Sequence, residues 1–189
     1  MTKILSGIII LLIYVQKFLE PLPSFINLDI VFRDQLIQMY YSFIYPHFNY
    51  GILCWGNAAQ IYLKRLQIMQ NKILKIMTFA KIHDHVTPLF EQLKIINLDK
   101  IYIFNSLKFM RKVKLSLVPF TISQLYTQPS HSHDTRYRSH NFDISSFRSN
   151  HGKMAPSRIT SYLWSALPDD MKSLPLSSFK KSVLNFLIN

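Results

Sequence analysis

Apolar side chains recur every three to four residues through most of the first 125 residues, and this spacing constrains the fold more than any other feature. After the break at Pro21-Leu22-Pro23, Leu36, Ile37, Tyr40, Phe43 and Ile44 fall on one stripe of a helix, which Pro46 is expected to end. Tyr62, Leu66, Met69, Ile73 and Ile76 form a second stripe. Lys64, Gln67, Asn71 and Lys75 sit opposite, with Lys72 beside them, on an amphipathic helix of about twenty residues. Thr87-Pro88 suits the first turn of a shorter helix, Thr as cap and Pro just inside it. A fourth helix is predicted from Leu98 to Lys112, with Ile101, Phe104, Leu107 and Met110 inward and Lys100, Lys108, Arg111 and Lys112 outward. Four glycines in the whole chain argue against a turn-rich all-β fold and against a phosphate-cradling glycine loop. The expected fold class is therefore mainly α, a helical bundle.

Composition then divides the chain. Residues 1–126 read as the helical bundle, and residues 127–156 as a polar linker rich in His, Ser and Arg, with a short strand expected at Phe142 to Phe147. Residues 157–189 read as a small helical element, whose last helix starts near Ser178 and turns Phe179, Val183, Phe186 and Leu187 inward. At the other end, Lys3 precedes the apolar run Ile4–Val15. Twelve residues fall short of the roughly twenty that cross a bilayer, which argues against a membrane span. The run matches the hydrophobic region of a secretory signal, although no small-x-small cleavage site follows it. A buried first helix fits equally well, and the missing site favours an intracellular chain, nuclear or cytoplasmic, over a secreted one.

Charge narrows the partners. Lys and Arg number 22 against 10 Asp and Glu, a formal charge of +12. Residues 1–99 hold 9 cations and 6 acids, or +3; residues 100–189 hold 13 and 4, or +9. A basic half of this kind suits a polyanion, nucleic acid being the commonest, whereas a merely soluble basic surface is the plainer reading.

Catalytic groupings are sparse. The one pair of adjacent carboxylates, Asp169-Asp170, follows Leu167-Pro168 in a setting that reads as a helix or turn start, where acids meet the positive end of the helix dipole. His83 and His85 are two apart, as are His131 and His133, with His140 and His151 near the second pair. A structural zinc site wants four Cys or His ligands, and no cysteine lies nearby. The single cysteine, Cys54, sits in an apolar turn, where a thiol is ordinarily a buried small hydrophobe. Trp55 and Trp164 lie among Leu and Ile and are expected in cores. Neither a metal site, a cofactor site nor a catalytic residue is expected, and nothing points to a small-molecule substrate.

One stretch is more specific. Tyr40 to Asn57, YYSFIYPHFNYGILCWGN, runs from aromatic-rich residues through Tyr45-Pro46-His47 into a Gly-Ile-Leu-Cys-Trp-Gly turn. It is followed in order by Leu66-Gln67-Ile68-Met69-Gln70-Asn71-Lys72, by His85-Val86-Thr87-Pro88-Leu89-Phe90 with Leu93 and Leu98 behind it, and by Phe109-Met110. His133-Asp134-Thr135-Arg136, Leu163-Trp164-Ser165-Ala166-Leu167-Pro168 and Ser178-Phe179-Lys180-Lys181 complete the series. This order resembles the region just downstream of the catalytic core in reverse transcriptases of LINE-type, jockey-like non-LTR retrotransposons. Ser165 stands where the family's Leu-Trp-Asn-x-Leu-Pro element has Asn.

The resemblance implies a polymerase thumb and the residues that follow it, with the catalytic palm encoded upstream of residue 1. In that family the palm holds two Mg²⁺ ions on a Tyr/Phe-x-Asp-Asp hairpin and a further Asp, a grouping that the surroundings of Asp169-Asp170 do not match. The chain is thus expected to be no enzyme by itself and to contact RNA or an RNA–DNA hybrid. The candidate phosphate contacts are Lys64, Lys72 and Lys75 on one helix and Lys108, Arg111 and Lys112 on another; Arg136 and Arg138 flank Tyr137 and would add stacking. The alternative is a secreted or membrane-associated helical interaction protein that uses residues 4–15 as its signal.

Overall fold

A computed structural model describes residues 29–81, 83–127 and 141–188. The run Ile4–Val15, and Arg136, Arg138, His131, His133 and His140, lie outside the described residues. The described chain is mainly α-helical, with no strand among these residues. Its elements in order are α1 (Asp29–Met39), a π turn (Tyr40–Ile44), α2 (Tyr45–Asn49), α3 (Ile52–Trp55), α4 (Gln60–Met77), α5 (Thr87–Leu93), α6 (Leu98–Lys114), α7 (Phe120–Ser123), α8 (Asn150–Lys153), α9 (Pro156–Ser165), α10 (Asp169–Ser173) and α11 (Leu176–Ile188). They form two compact units. Of the described residues, the first holds those up to Gly51 together with those of Ala58–Leu98; the second holds Ile52–Asn57 and those from Asp99 onward.

In the first unit the helix does not end at Pro46, as its sequence suggested. Proline has no N–H and clashes with the carbonyl four residues back in a regular helix. Here the backbone widens first: the Tyr45 N–H reaches the Tyr40 carbonyl across a π turn, and Pro46 then occupies the first turn of α2, where its missing N–H leaves no bond unmade. Leu36, Tyr40, Ile44 and Phe48 face the core, while Phe43 is exposed. Gly51 has φ of 60°, the left-handed region that glycine enters at no steric cost, and it ends this helical run.

The buried stripe of α4 is Leu63, Leu66, Gln70, Ile73, Leu74 and Met77. Leu66 and Ile73 were expected there; Tyr62 is instead exposed, and polar Gln70 takes an inward position. The physical reason is a complete set of partners. Gln70 Nε2 donates to the Tyr40 hydroxyl and to the Ile96 carbonyl, each at 2.9 Å. A buried amide so bonded avoids its desolvation penalty, so hydrophobicity alone misplaces the stripe. Burial also pushes the Tyr40 hydroxyl far above its ordinary pKa. Beside it, Gln67 accepts the Leu98 N–H at 3.1 Å and donates to Asn71, a tie within the first unit.

The second unit is built on one core. Leu107, Met110 and Val113 of α6 pack with Phe142, Trp164, Leu167, Phe179, Val183 and Leu187. Segments 1–126 and 157–189, read apart along the chain, thus share a cluster. Aromatic rings thread it from Phe109 to Tyr126, Phe142, Trp164 and Phe179, with successive centroids 5.8, 6.0, 6.3 and 5.8 Å apart. Residues 141–147 are not a strand. Phe142 anchors them, and the Asp143 N–H bonds the Thr127 carbonyl at 2.8 Å. Phe186, expected inward on α11, is exposed. Trp164 is buried as expected, whereas Trp55 is half-buried and the Cys54 thiol exposed, because an apolar local sequence does not supply the neighbouring elements that would cover them. A Cβ on Gly56 would lie 2.3 Å from Tyr102 Cδ2, so glycine is what allows α3 to approach α6. Asn57 Nδ2 fastens the same segment by donating to the Met154 carbonyl at 2.7 Å.

Candidate nucleic-acid interface

The last turns of α6 carry Lys108, Arg111, Lys112 and Lys114, and these four cations have four different fates. Arg111 turns inward and is 8% exposed. Its Nη1 donates to the Lys172 carbonyl at 2.8 Å and its Nη2 to the Leu174 carbonyl at 2.5 Å, with the Ser173 carbonyl at 3.4 Å. These carbonyls end α10, where helical acceptors run out of partners, and a cation also meets the negative end of the helix dipole. Arg111, expected to project outward and bind phosphate, is a structural cap; helical spacing put it among the exposed lysines, but tertiary packing draws it in.

Lys112 is exposed and Lys108 half-buried, its ammonium 5.4 Å from the centroid of the Phe104 ring. Burial pushes the Lys108 pKa down, and the charges of Lys180 and Lys112 push it further the same way. Lys180 is exposed near the start of α11. Phe179 and Val183 of α11 share one core cluster with Leu107 and Met110 of α6, and the Lys180 charge acts on Lys108. The charges that act on Lys108 are thus both cationic, a mutual repulsion that a bound anion would relieve. Lys114 lies 5.9 Å from the Phe142 ring centroid; burial lowers its pKa first, then the charge of Arg111.

Sequence spacing did not mark Lys180 as a site residue. Its trace was there, as Lys180-Lys181 directly after the core residue Phe179, but its relation to Lys108 needs the tertiary fold. In the first unit, Lys64 and Lys72 are exposed on α4 and Lys75 is half-buried, sharing one side of the helix as expected.

The other candidate groups take structural positions. Lys172 is 3% exposed and donates to Asn141 Oδ1 at 3.0 Å, to Asp169 Oδ1 at 2.9 Å and to the Ser165 carbonyl at 3.4 Å. All three ammonium donors have partners, which offsets the cost of burying the charge. Asp169 and Asp170 occupy the first turn of α10, and the Asp169 carboxylate is committed to Lys172. Among the described residues, no three His, Cys, Asp or Glu side chains gather closely enough to hold a metal ion. No helix among them is long and apolar enough to cross a membrane. Chemically, the lysine face offers point charges and hydrogen-bond donors to an anion.

Compared with protein-family models, curated proteins and solved structures, the chain matches none.

Proposed function

We propose that this chain is a non-catalytic, nucleic-acid-gripping region of a LINE-type reverse transcriptase. In this reading Lys108, Lys112 and Lys180 clasp the phosphodiester backbone of RNA or of an RNA–DNA hybrid, while a separate palm performs nucleotidyl transfer. The observation that carries it is that Lys112 of α6 and Lys180 of α11 both act by like charge on Lys108, a half-buried lysine whose ammonium lies 5.4 Å from the Phe104 ring centroid. Such a cluster costs stability when empty and is relieved by a polyanion, which releases its counterions as the lysines replace them. The +9 excess of residues 100–189 over their acids points the same way. The collinear motifs from Tyr40 to Lys181 supply the family half of the proposal.

Filter binding of an RNA–DNA hybrid across a range of salt concentrations tests it. Three phosphate contacts give a log–log salt slope of roughly −2 to −3. The double variant Lys112→Gln/Lys180→Gln should shrink that slope by about one to two, while circular dichroism remains unchanged. Binding that ignores salt, or a slope indifferent to the double variant, would overturn the reading.

A further inference from the structure

Helix α4 turns its apolar stripe into the first unit, yet its outer side is not uniformly polar. Ile61 is 62% exposed and Ile68 49% exposed. Around the helix, Ile61, Lys64, Arg65, Ile68 and Lys72 fall within an arc of about 100°, and the three cations are exposed. Gln60–Met77 contains no acidic residue. The outer face is therefore two isoleucines, seven residues apart, set among three positive charges. Seven residues is the interval at which one helix seats successive side chains into another.

We propose that this face docks an acidic amphipathic helix of a partner protein, with apolar residues over Ile61 and Ile68 and Asp or Glu flanking them to meet Lys64, Arg65 and Lys72. Charge complementarity selects this occupant. A second copy of this chain would bring its own +12 to a basic face. The apolar run Ile4–Val15 could cover the isoleucines, but it contains no carboxylate for the cations. A phosphate backbone would satisfy the lysines and leave two large apolar side chains facing charge, where they gain nothing. A bilayer rewards a wide apolar face, and the wide face of α4 is the one already buried. The assignment stands apart from the lysine cluster of the second unit, and Lys112→Gln/Lys180→Gln tests that cluster separately.

The experiment uses the whole chain and a fluorescent synthetic peptide of about four heptads, with Leu at the first and fourth positions and Glu at the fifth and seventh. A matched peptide with Lys in place of Glu is the control. Anisotropy should show the Glu peptide binding and the Lys peptide failing. Ile61→Ser/Ile68→Ser should weaken the Glu peptide by about thirtyfold, because each isoleucine still has roughly half its surface to bury. Lys64→Gln/Lys72→Gln should weaken it too and flatten its dependence on salt. Both pairs are on the surface, and an unchanged circular dichroism spectrum verifies the fold. Three results would each overturn the proposal: neither peptide binds, both bind alike, or the isoleucine variant keeps peptide affinity. A fourth would be that the isoleucine variant instead loses binding to the RNA–DNA hybrid or to phosphatidylserine vesicles, which assigns the face to nucleic acid or to lipid.

Discussion

Arg111 separates a structural cation from a binding one, and replacing it with Met makes the difference measurable. Methionine keeps the unbranched apolar stem and removes the guanidinium. Two short bonds, to the carbonyls of Lys172 and Leu174 at 2.8 and 2.5 Å, are lost. A hydrogen bond to a charged group contributes about 1.5–3 kcal/mol, so the gross loss is about 3–6 kcal/mol. Two effects reduce it. Ser173 is exposed and Leu174 half-buried, so water can reach part of the abandoned helix end. The desolvation cost of the buried guanidinium also disappears. A net destabilisation of about 2–3 kcal/mol is expected, which for a chain of this size lowers the melting temperature by roughly 4–12 °C. Both tryptophans, Trp55 and Trp164, lie in the unit that contains Arg111, so urea unfolding followed by tryptophan fluorescence reports the relevant transition. The folded variant should bind RNA–DNA hybrid with the wild-type salt slope, unlike Lys112→Gln/Lys180→Gln. An unchanged unfolding midpoint combined with a smaller salt slope would refute the reasoning, since Arg111 would then be serving phosphate rather than the end of α10.

Three further outcomes follow from the packing. Gly56→Ala places a methyl group 2.3 Å from Tyr102 Cδ2 and 2.6 Å from the Ile52 carbonyl oxygen; because the second contact is backbone, a loss of about 1–3 kcal/mol is expected in the same fluorescence-monitored unfolding. Gln70→Leu leaves the Tyr40 hydroxyl and the Ile96 carbonyl without this partner and should cost about 2–4 kcal/mol, read as a lower urea midpoint in circular dichroism. Burial holds the Tyr40 proton above the ordinary pKa of 10.0, so stability is intact below that pH and falls as pH rises past it, by about 1.4 kcal/mol per pH unit for that group. Tyr40→Phe should reduce this alkaline slope in urea titrations, and an undiminished slope would remove Tyr40 as its source.

Much of the architecture was legible along the chain because a 3.6-residue period needs no partner to be read. The helices at Gln60–Met77 and Leu98–Lys114 fall where their stripes place them. Ile101, Leu107, Met110, Phe179 and Val183 are buried as that period requires. Misplaced residues share a physical origin. Tyr62 and Phe186 look like core side chains by type, but a stripe says which face is apolar and not how far the neighbouring helices extend over it. Gln70 looks like a surface side chain until Tyr40 and Ile96 supply its partners. Pro46 reads as a terminator until a π turn removes the clash that makes it one.

The candidate site divides along the same line. Lys108 and Lys112, four residues apart on one helix, were visible as a basic face from local geometry. Arg111 carries the same charge one position away, and what sets it apart is the helix end from Lys172 to Leu174, some sixty residues further on. Lys180 acts on Lys108 from another helix, whose Phe179 and Val183 share a core cluster with Leu107 and Met110 of α6. Local spacing thus determined the helices and the surplus of positive charge, both of which are properties of near neighbours. Which cations stay at the surface and which become part of the framework was decided by tertiary packing, because burial and hydrogen-bond partners come from residues distant in the chain.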